Sequence, residues 1–359
     1  METQTGQPSL PSPILHDHKT LLLTGAAGFI GSNFARYLFD RYPQYRIVVY
    51  DALTYAGNLE NIPKYIRDSE RFEFIYGNVC NGAQVMAAMT DANIVVHFAA
   101  ETHVTRSIYD AADFVQTDVI GTANMVSAAL SARSLERFIH VSTSEVYGSC
   151  LGDVDMMDEK HPLEPCSPYA SAKTGADRIV YSYWRTYNLP AVIVRPFNNY
   201  GPRQHLEKCI PRFITSALRD EPLTVHGDGR SSRDWVHVDD TCAALDLLLH
   251  APLENVVGEV FNVASGIDTS VATIAEMVLS LTGKPRTLLT SIGQRPGQVD
   301  KHKGDASKIR KVLGWKPQIA FLQGLGQTLE WYAQNEDFWE RMLWMRRIKI
   351  RTKTGTEFH

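Results

Sequence analysis

Tyr169 and Lys173 stand four residues apart in "SPYASAK", residues 167–173. At that spacing both side chains lie on one face of a helix. An ammonium beside a phenol stabilises the phenolate and lowers its pKa. Such a phenolate takes the proton of a hydroxyl while hydride leaves the same carbon. On a helix alone, a Tyr–Lys pair is ordinary surface chemistry. Its setting favours the catalytic reading, because it follows a Thr-rich strand end with a nucleotide-binding pattern upstream. That strand end is "HVSTSEVYG", residues 140–148, where Thr143, Ser144 and Glu145 follow an apolar run. A carboxylate there is either a cap on the next turn or a base held near an acidic proton.

A second group is built to hold a phosphate. Gly25, Gly28 and Gly31 form GxxGxxG between an apolar run and a helical pattern with Phe34, Leu38 and Phe39 on one side. Glycine permits the tight turn and lets backbone N–H groups approach a pyrophosphate at the helix N-terminus. Asp51 ends the next apolar run, "YRIVVYD", about 20 residues past the last glycine. A carboxylate there accepts hydrogen bonds from ribose hydroxyls and repels a 2′-phosphate, which favours NAD over NADP.

These residues need a frame. "KTLLLT", "YRIVVYD", "RFEFIYG", "NIVVHFAA", "RFIHVST" and "PAVIVRP" are apolar runs, each but the last followed by a helix-like stretch. Buried runs alternating with helices predict a parallel sheet covered on both faces. Beyond about residue 200, Pro and Gly in "YGPRQ", "VHGDGRSSRD" and "GQRPGQ" break the order. That region suits a smaller lobe over the strand ends, where open α/β sheets place ligands. "GEVFNVA" reads as one more strand returning to the sheet, so the two lobes interleave in sequence.

Composition excludes several classes. The 359 residues carry a net charge of -4 and are 44% hydrophobic. No nucleic-acid or membrane field is expected from that balance. No apolar run is long enough to span a bilayer. Cys80, Cys150, Cys166, Cys209 and Cys242 are scattered without ligand spacing. They read as reduced cytoplasmic cysteines, with no disulfide framework and no metal site. Residues 1–18 read as a flexible N-terminal tail, and 341–359 as a basic C-terminal tail, frayed or packed in a dimer.

Over roughly residues 19–333 the chain resembles the extended short-chain dehydrogenase/reductases that modify nucleotide sugars. Within them it looks most like the dTDP-glucose 4,6-dehydratases. The resemblance rests on "TGAAGFIGSNF", "DALTYAGNLENI", "HFAAETHVTRSI", "STSEVYG", "SPYASAK", "RPFNNYGPRQHLEKCIPRFI", "HGDGRSSRDWVHVDD" and "DASKIRKVLGWKP". "LTYAGN" and "NNYGPxQxxEKxIP" are the more specific to the dehydratase branch.

The resemblance implies a Rossmann-type doubly wound parallel sheet with a smaller mixed α/β C-terminal substrate lobe. The NAD domain would span 19–200, with returning segments near 232–265. The substrate lobe would be largely 201–340. NAD contacts are implied for Gly25, Gly28, Phe29, Ile30, Gly31, Asp51, Leu53, Thr54, Asn78, Val79, Ala99 and Ala100, with Tyr169 and Lys173. Nucleotide-sugar contacts are implied for His103, Asn198, Glu207, Lys208, Arg233, Asn262 and Arg295. The family's chemistry oxidises sugar C4, removes the C5 proton as the C6 hydroxyl leaves, and returns hydride to C6. Glu145 matches the C5 base and Thr143 the hydrogen-bonding partner of O4. A homodimer is implied through the helices after "HVTRSIYDAADF" and from Tyr169 to Tyr187.

Several positions depart from that pattern. Ser144 stands where the dTDP-glucose enzymes carry an acidic Asp, and a serine hydroxyl is far too weak an acid for that task. GDP-mannose 4,6-dehydratases also have Ser-Glu and still dehydrate, with Glu serving as base and then acid. Uronate decarboxylases carry Thr-Ser-Glu too. Thr105, His226, Gln298 and Val299 replace family residues at the nucleotide end, while Arg233, Arg295 and Lys208 remain, so a nucleoside diphosphate is expected and thymine is left open. Sister chemistries in the same site remain open, namely 4-epimerisation, 5,6-dehydration and uronate decarboxylation. A non-catalytic nucleotide-binding protein is a further alternative, against which intact Thr143, Tyr169 and Lys173 argue.

Overall fold

A computed structural model describes residues 18–150, 154–293, 299–346, 349–352 and 355–358. The strands in chain order are β1 Lys19–Thr24, β2 Tyr45–Asp51, β3 Phe72–Tyr76, β4 Ile94–His97, β5 Arg137–Val141, β6 Ala191–Pro196, β7 Asn198–Tyr200, β8 Leu223–His226, β9 Ser232–His237 and β10 Val260–Val263. Seven of them form one sheet in the order β10-β6-β5-β4-β1-β2-β3. Every pairing in it is parallel.

The apolar runs explain this sheet. Successive side chains of a strand point to opposite faces. Leu21, Leu23, Val49, Val96, Ile139 and Val194 pack into one hydrophobic layer. Leu22, Val48, Val95, Phe138 and Ile193 pack into the layer on the other side. Both faces are therefore covered by helices, and each such buried side chain contributes about 1.5–3 kcal/mol.

The chain does return to the sheet. β10 pairs with β6, in register from Val260 opposite Ile193 to Val263 opposite Pro196. Just before it, helix Val238–His250 packs on helix Phe29–Arg41. Asp246 stitches the two together, accepting hydrogen bonds from Tyr37 Oη at 2.9 Å and Tyr42 Oη at 2.8 Å.

The smaller lobe is mixed. β9 pairs in parallel with β7 and antiparallel with β11, Asp268–Ser270. β12, Leu289–Ile292, lies parallel to β8, and β13, Lys301–His302, parallel to β9. Helices Cys209–Leu218, Val271–Thr282 and Phe321–Gln334 close over a core of Tyr200, Ile210, Phe213, Trp235, Ile274, Leu325 and Trp339.

Residues 1–17 lie outside the described residues. The basic C-terminal stretch, expected as a tail, is folded where it is described. A 3-10 helix, Glu340–Arg346, precedes an antiparallel hairpin of β14, Lys349–Thr352, and β15, Gly355–Phe358. β14 lies against helix Val104–Tyr109. Arg346 Nη1 donates to Ser216 Oγ at 3.1 Å, and Arg341 pairs with Glu60. Local charge did not reveal this, because the arginines find specific acceptors on the body of the protein.

Candidate active site

At the carboxyl ends of the parallel strands lies a cavity of about 450 Å³. Its position follows from the topology: β1 and β4 are neighbours, and the chain leaves them in opposite directions across the sheet.

The glycine turn shapes one end. Gly25 has φ +70°, and a Cβ there would stand 2.5 Å from Ala99 Cα. A Cβ on Gly31 would stand 2.6 Å from Ala26 Cα. These two glycines let chain segments touch. Gly28 does something else. It caps helix Phe29–Arg41 with no side-chain hydrogen bond, and faces the cavity. The first N–H groups of that helix are left for an anion.

Asp51 closes the same end. Its Oδ2 accepts from Ala27 N at 2.9 Å and its Oδ1 from Leu53 N at 2.8 Å. Burial pushes its carboxyl above the ordinary range, and those two N–H groups pull against the shift. An uncapped helix, a cradle without side chains and a buried carboxylate at the strand end are the donor and acceptor set a dinucleotide requires. The site therefore fits NAD. Phe29, Ile30, Thr54, Asn78, Val79, Ala99 and Ala100 line the cavity beside them. Leu53 does not. It takes φ +48° and gives its N–H to Asp51, which supports the acid from the following turn.

The polar strand end now has a local cause. β5 stops at Val141, and Ser144–Tyr147 form a 3-10 turn capped by Thr143, whose Oγ1 accepts from Glu145 N at 3.2 Å. Gly148, at φ +75°, ends the turn where a Cβ would collide with Glu164 O. Thr143, Ser144 and Glu145 all line the cavity. Ser144 is buried, and its carbonyl oxygen faces His302 Nε2 at 3.1 Å. Glu145 lies in the field of Arg233 and His302, and favours the charged form of each.

Tyr169 and Lys173 come from helix Pro168–Tyr187. Ser167 caps its start, accepting from Ala170 N at 3.1 Å, with Pro168 at the first helical position. Asn188, at φ +56°, ends it. Both side chains are buried and line the cavity. The expected lowering of the Tyr169 pKa is not what the structure holds. Burial dominates and pushes the phenol well above its ordinary value. A hydrogen bond with Thr143 opposes this, while the charges of Asp118 and Glu145 add to it. Lys173 instead donates to Val141 O at 2.9 Å, and burial pushes its ammonium down against the charges of Asp118 and Asp177.

His103, Asn198, Glu207, Lys208 and Arg233 line the other end. Arg233 Nη1 donates to Ser232 O at 2.9 Å and Val299 O at 2.7 Å. Lys208 Nζ donates to Thr102 O at 2.7 Å. Glu207 is buried, paired through Oε2 with Arg106 Nε at 2.8 Å. Asn262 is the departure. It is fully buried and does not reach the cavity. Its Nδ2 donates to Met157 O at 3.0 Å and its Oδ1 accepts from Tyr147 Oη at 2.7 Å. Its assignment as a substrate contact is corrected to an internal brace. Arg295 and Gln298 lie outside the described residues.

The sequence reading passed over Glu101 and Arg106. Glu101 lines the cavity, its carboxyl pushed up to about 7 by burial and the charge of Asp113. Both follow β4 at its carboxyl end, the signal that would have found them.

Such a sheet, with this glycine turn and with Thr143, Glu145, Tyr169 and Lys173 on one cavity, defines an extended short-chain dehydrogenase/reductase of the nucleotide-sugar type. The profile of the GDP-mannose 4,6 dehydratase family matches residues 22–328, and the chain belongs to that family. It is 42% identical over 317 residues to the low-salt glycan biosynthesis protein Agl12 of Haloferax volcanii, covering 88% of this chain and 99% of that one. It is 39% identical over 324 residues to a dTDP-glucose 4,6-dehydratase of an Actinoplanes species, covering 89% of this chain and 99% of that one. Among solved structures, a dTDP-glucose 4,6-dehydratase from Streptomyces venezuelae with NAD bound superposes with a TM-score of 0.85. It is 38% identical, covering 90% of this chain and 99% of that one.

Proposed function

We propose that the protein is an NAD-dependent nucleoside-diphosphate-hexose 4,6-dehydratase of the dTDP-glucose type, a lyase that forms a 4-keto-6-deoxy sugar nucleotide. The observation that carries this reading is that a carboxylate, Glu145, shares one cavity with Tyr169 and Thr143. Oxidation alone needs no such base.

The Gly28 helix end and Asp51 would hold NAD, which would supply a hydride acceptor for C4 and a hydride donor for C6. The side chains manage the protons. Tyr169 Oη takes the proton of the C4 hydroxyl as the phenolate, a form that the ammonium of Lys173 and the positive charge of bound NAD would favour against its burial, and Thr143 orients O4 and Tyr169. Once C4 is a ketone, the C5 hydrogen is acidic, and Glu145 takes it as a proton. The C5 electron pair forms the C5–C6 double bond as the C6–O bond breaks. Ser144 cannot protonate the departing oxygen, so Glu145, now a carboxylic acid, gives its proton to O6 and water leaves. Glu145 thus serves as base and then acid for water loss. Hydride addition at C6 then leaves an enolate whose C5 takes a proton from solvent, relayed by Glu145, while the proton first taken by Tyr169 returns to solvent. Arg233, Lys208, His103 and Asn198 hold the nucleoside diphosphate, for which guanidinium and ammonium groups are suited.

In this reading, residues 19–200 with the returning segment hold NAD, and 201–340 largely hold the sugar nucleotide. A cytoplasmic enzyme agrees with five free cysteines. No helix among the described residues is long and apolar enough to cross a membrane. A two-fold homodimer agrees with exposed Val115, Ile120 and Tyr181 on packed helices. The test is incubation with a panel of nucleoside-diphosphate hexoses and mass detection of water loss. Oxidation without water loss, or NADH accumulating one for one with substrate, refutes the reading.

A further inference from the structure

Between helices Ala112–Phe114 and Thr122–Ser131 the chain widens into a π-helix, Val115–Gly121. Such turns are rare and cluster at functional sites. This one packs on helix Pro168–Tyr187, closely enough that a Cβ on Gly175 would stand 3.2 Å from Val119 Cγ2. Asp118 projects from it into the interior and is 1% exposed. Its Oδ1 accepts from Glu101 N at 2.8 Å, while its Oδ2 is buried without a hydrogen-bond partner. A half-satisfied buried carboxylate is costly unless a charge answers it. Lys173 is that charge: a 3% exposed ammonium with one of its three N–H groups on Val141 O.

We infer that Asp118 is a positioning residue for the reaction proposed above, a buried carboxylate that keeps Lys173 ionised and sets the pH range in which Tyr169 exchanges its proton. The inference rests on that reading of the site. The groups around the pair are few. From the segment after β4 comes Glu101, and from helix Pro168–Tyr187 come Tyr169 and Asp177. After β3 lies Cys80, whose thiol donates to Gln116 O at 3.3 Å. His97 on β4 and His140 on β5 lie in the field of Lys173, and burial, then its charge, favour their neutral forms. Burial, opposed by the charge of Lys173 and the N–H of Glu101, leaves the Asp118 carboxyl pushed up to about 7. In turn, Asp118 raises both the Lys173 ammonium and the Tyr169 phenol.

The sign follows. Without the Asp118 charge, Lys173 loses its proton at lower pH and Tyr169 ionises at lower pH, so both limbs of the rate profile move down. Asp118→Asn keeps the shape and the Oδ1 acceptor but removes the charge, whereas Asp118→Ala removes both. The readout is C4 oxidation of a nucleotide sugar against pH, followed as reduction of bound NAD, with thermal melts to score folding. Both variants should shift the profile to lower pH by about one unit, the scale of a nearby opposite charge. An Asn variant that titrates where the wild type does, while Ala alone is impaired, overturns the inference, because shape and not charge would then be what matters. Unfolding of both variants overturns it as well. A wild type that oxidises C4 without losing water refutes the dehydratase reading and leaves the Asp118 result standing.

Discussion

Arg195 clasps Asp177 through two parallel hydrogen bonds, Nε to Oδ2 at 2.9 Å and Nη2 to Oδ1 at 3.0 Å, with both side chains buried. Ser142 Oγ adds a third, to Oδ2 at 2.9 Å, and Arg195 Nη1 reaches Tyr147 Oη at 3.0 Å. Tyr147 passes the chain on to Asn262. β5, β6, β10, the catalytic helix and the 3-10 turn are thereby tied together directly behind Thr143 and Glu145. Asp177→Asn leaves Arg195 uncompensated and should cost about 3–5 kcal/mol of folding stability, read from denaturant unfolding.

The same pair gives a pH signature. Burial pushes the Asp177 carboxyl up, but the hydrogen bonds and charge of Arg195, and then Arg178, more than reverse this and leave it below the ordinary range. A carboxylate depressed in the folded state contributes stability that is full above its unfolded pKa of about 3.9 and is lost as pH falls through the folded value. Melting temperatures taken from neutral pH downwards should fall less steeply for Asp177→Asn than for the wild type. Parallel curves would remove Asp177 from the account.

Asn262→Ala should lose about 1–3 kcal/mol of stability, because it strands buried partners. Its KM for a nucleotide sugar should stay within about twofold once the protein is folded, as expected for a side chain with no access to substrate. A large rise in KM at unchanged stability would restore it as a substrate contact.

Glu145 and Ser144 should differ sharply when changed. Glu145→Gln should lose about 100- to 10,000-fold in water loss, the usual reach of a general base, and lose solvent deuterium uptake at C5 with it. Ser144→Ala should cost little. Exchange at C5 continuing at the wild-type rate in Glu145→Gln would show that another group is the base.

Asp51→Ala removes an acceptor and also frees the N–H groups of Ala27 and Leu53. NAD affinity should fall at least about tenfold, measured by titration of the apoprotein, and the preference over NADP should narrow.

Much of this was legible in the chain. The parallel sheet showed because its strands are buried on both faces and read as unbroken apolar runs. The close turn at Gly25, Gly28 and Gly31 and the strand-end Asp51 showed because a tight strand-to-helix turn needs particular residues at particular spacing. What stayed hidden depends on contacts between distant segments. Asn262 carries no sign that its amide is spent on Tyr147 and Met157. The Tyr169 phenol looked acidified beside Lys173, but its burial is made by segments far away in sequence. Asp118 needed the π-turn before its direction had meaning.

Ile120→Glu on the Val115–Gly121 face should convert the proposed dimer to a monomer, seen as a halving of mass by light scattering at micromolar concentration. A wild-type protein that is itself monomeric there would refute the dimer.

β10 has a consequence for how the protein is made. The sheet's β6 edge is closed by residues 260–263, and helix Phe29–Arg41 is braced by Asp246. A ribosome that has released only the first 200 residues has delivered six of the seven strands, with the N–H and C=O groups of β6 open along one side. Such an open edge is a template for another chain. The nascent protein thus stays prone to mispairing until the smaller lobe is half synthesised, and contacts so far apart in sequence form slowly. A fragment ending near residue 200 should aggregate, although its sequence contains the whole nucleotide-binding pattern.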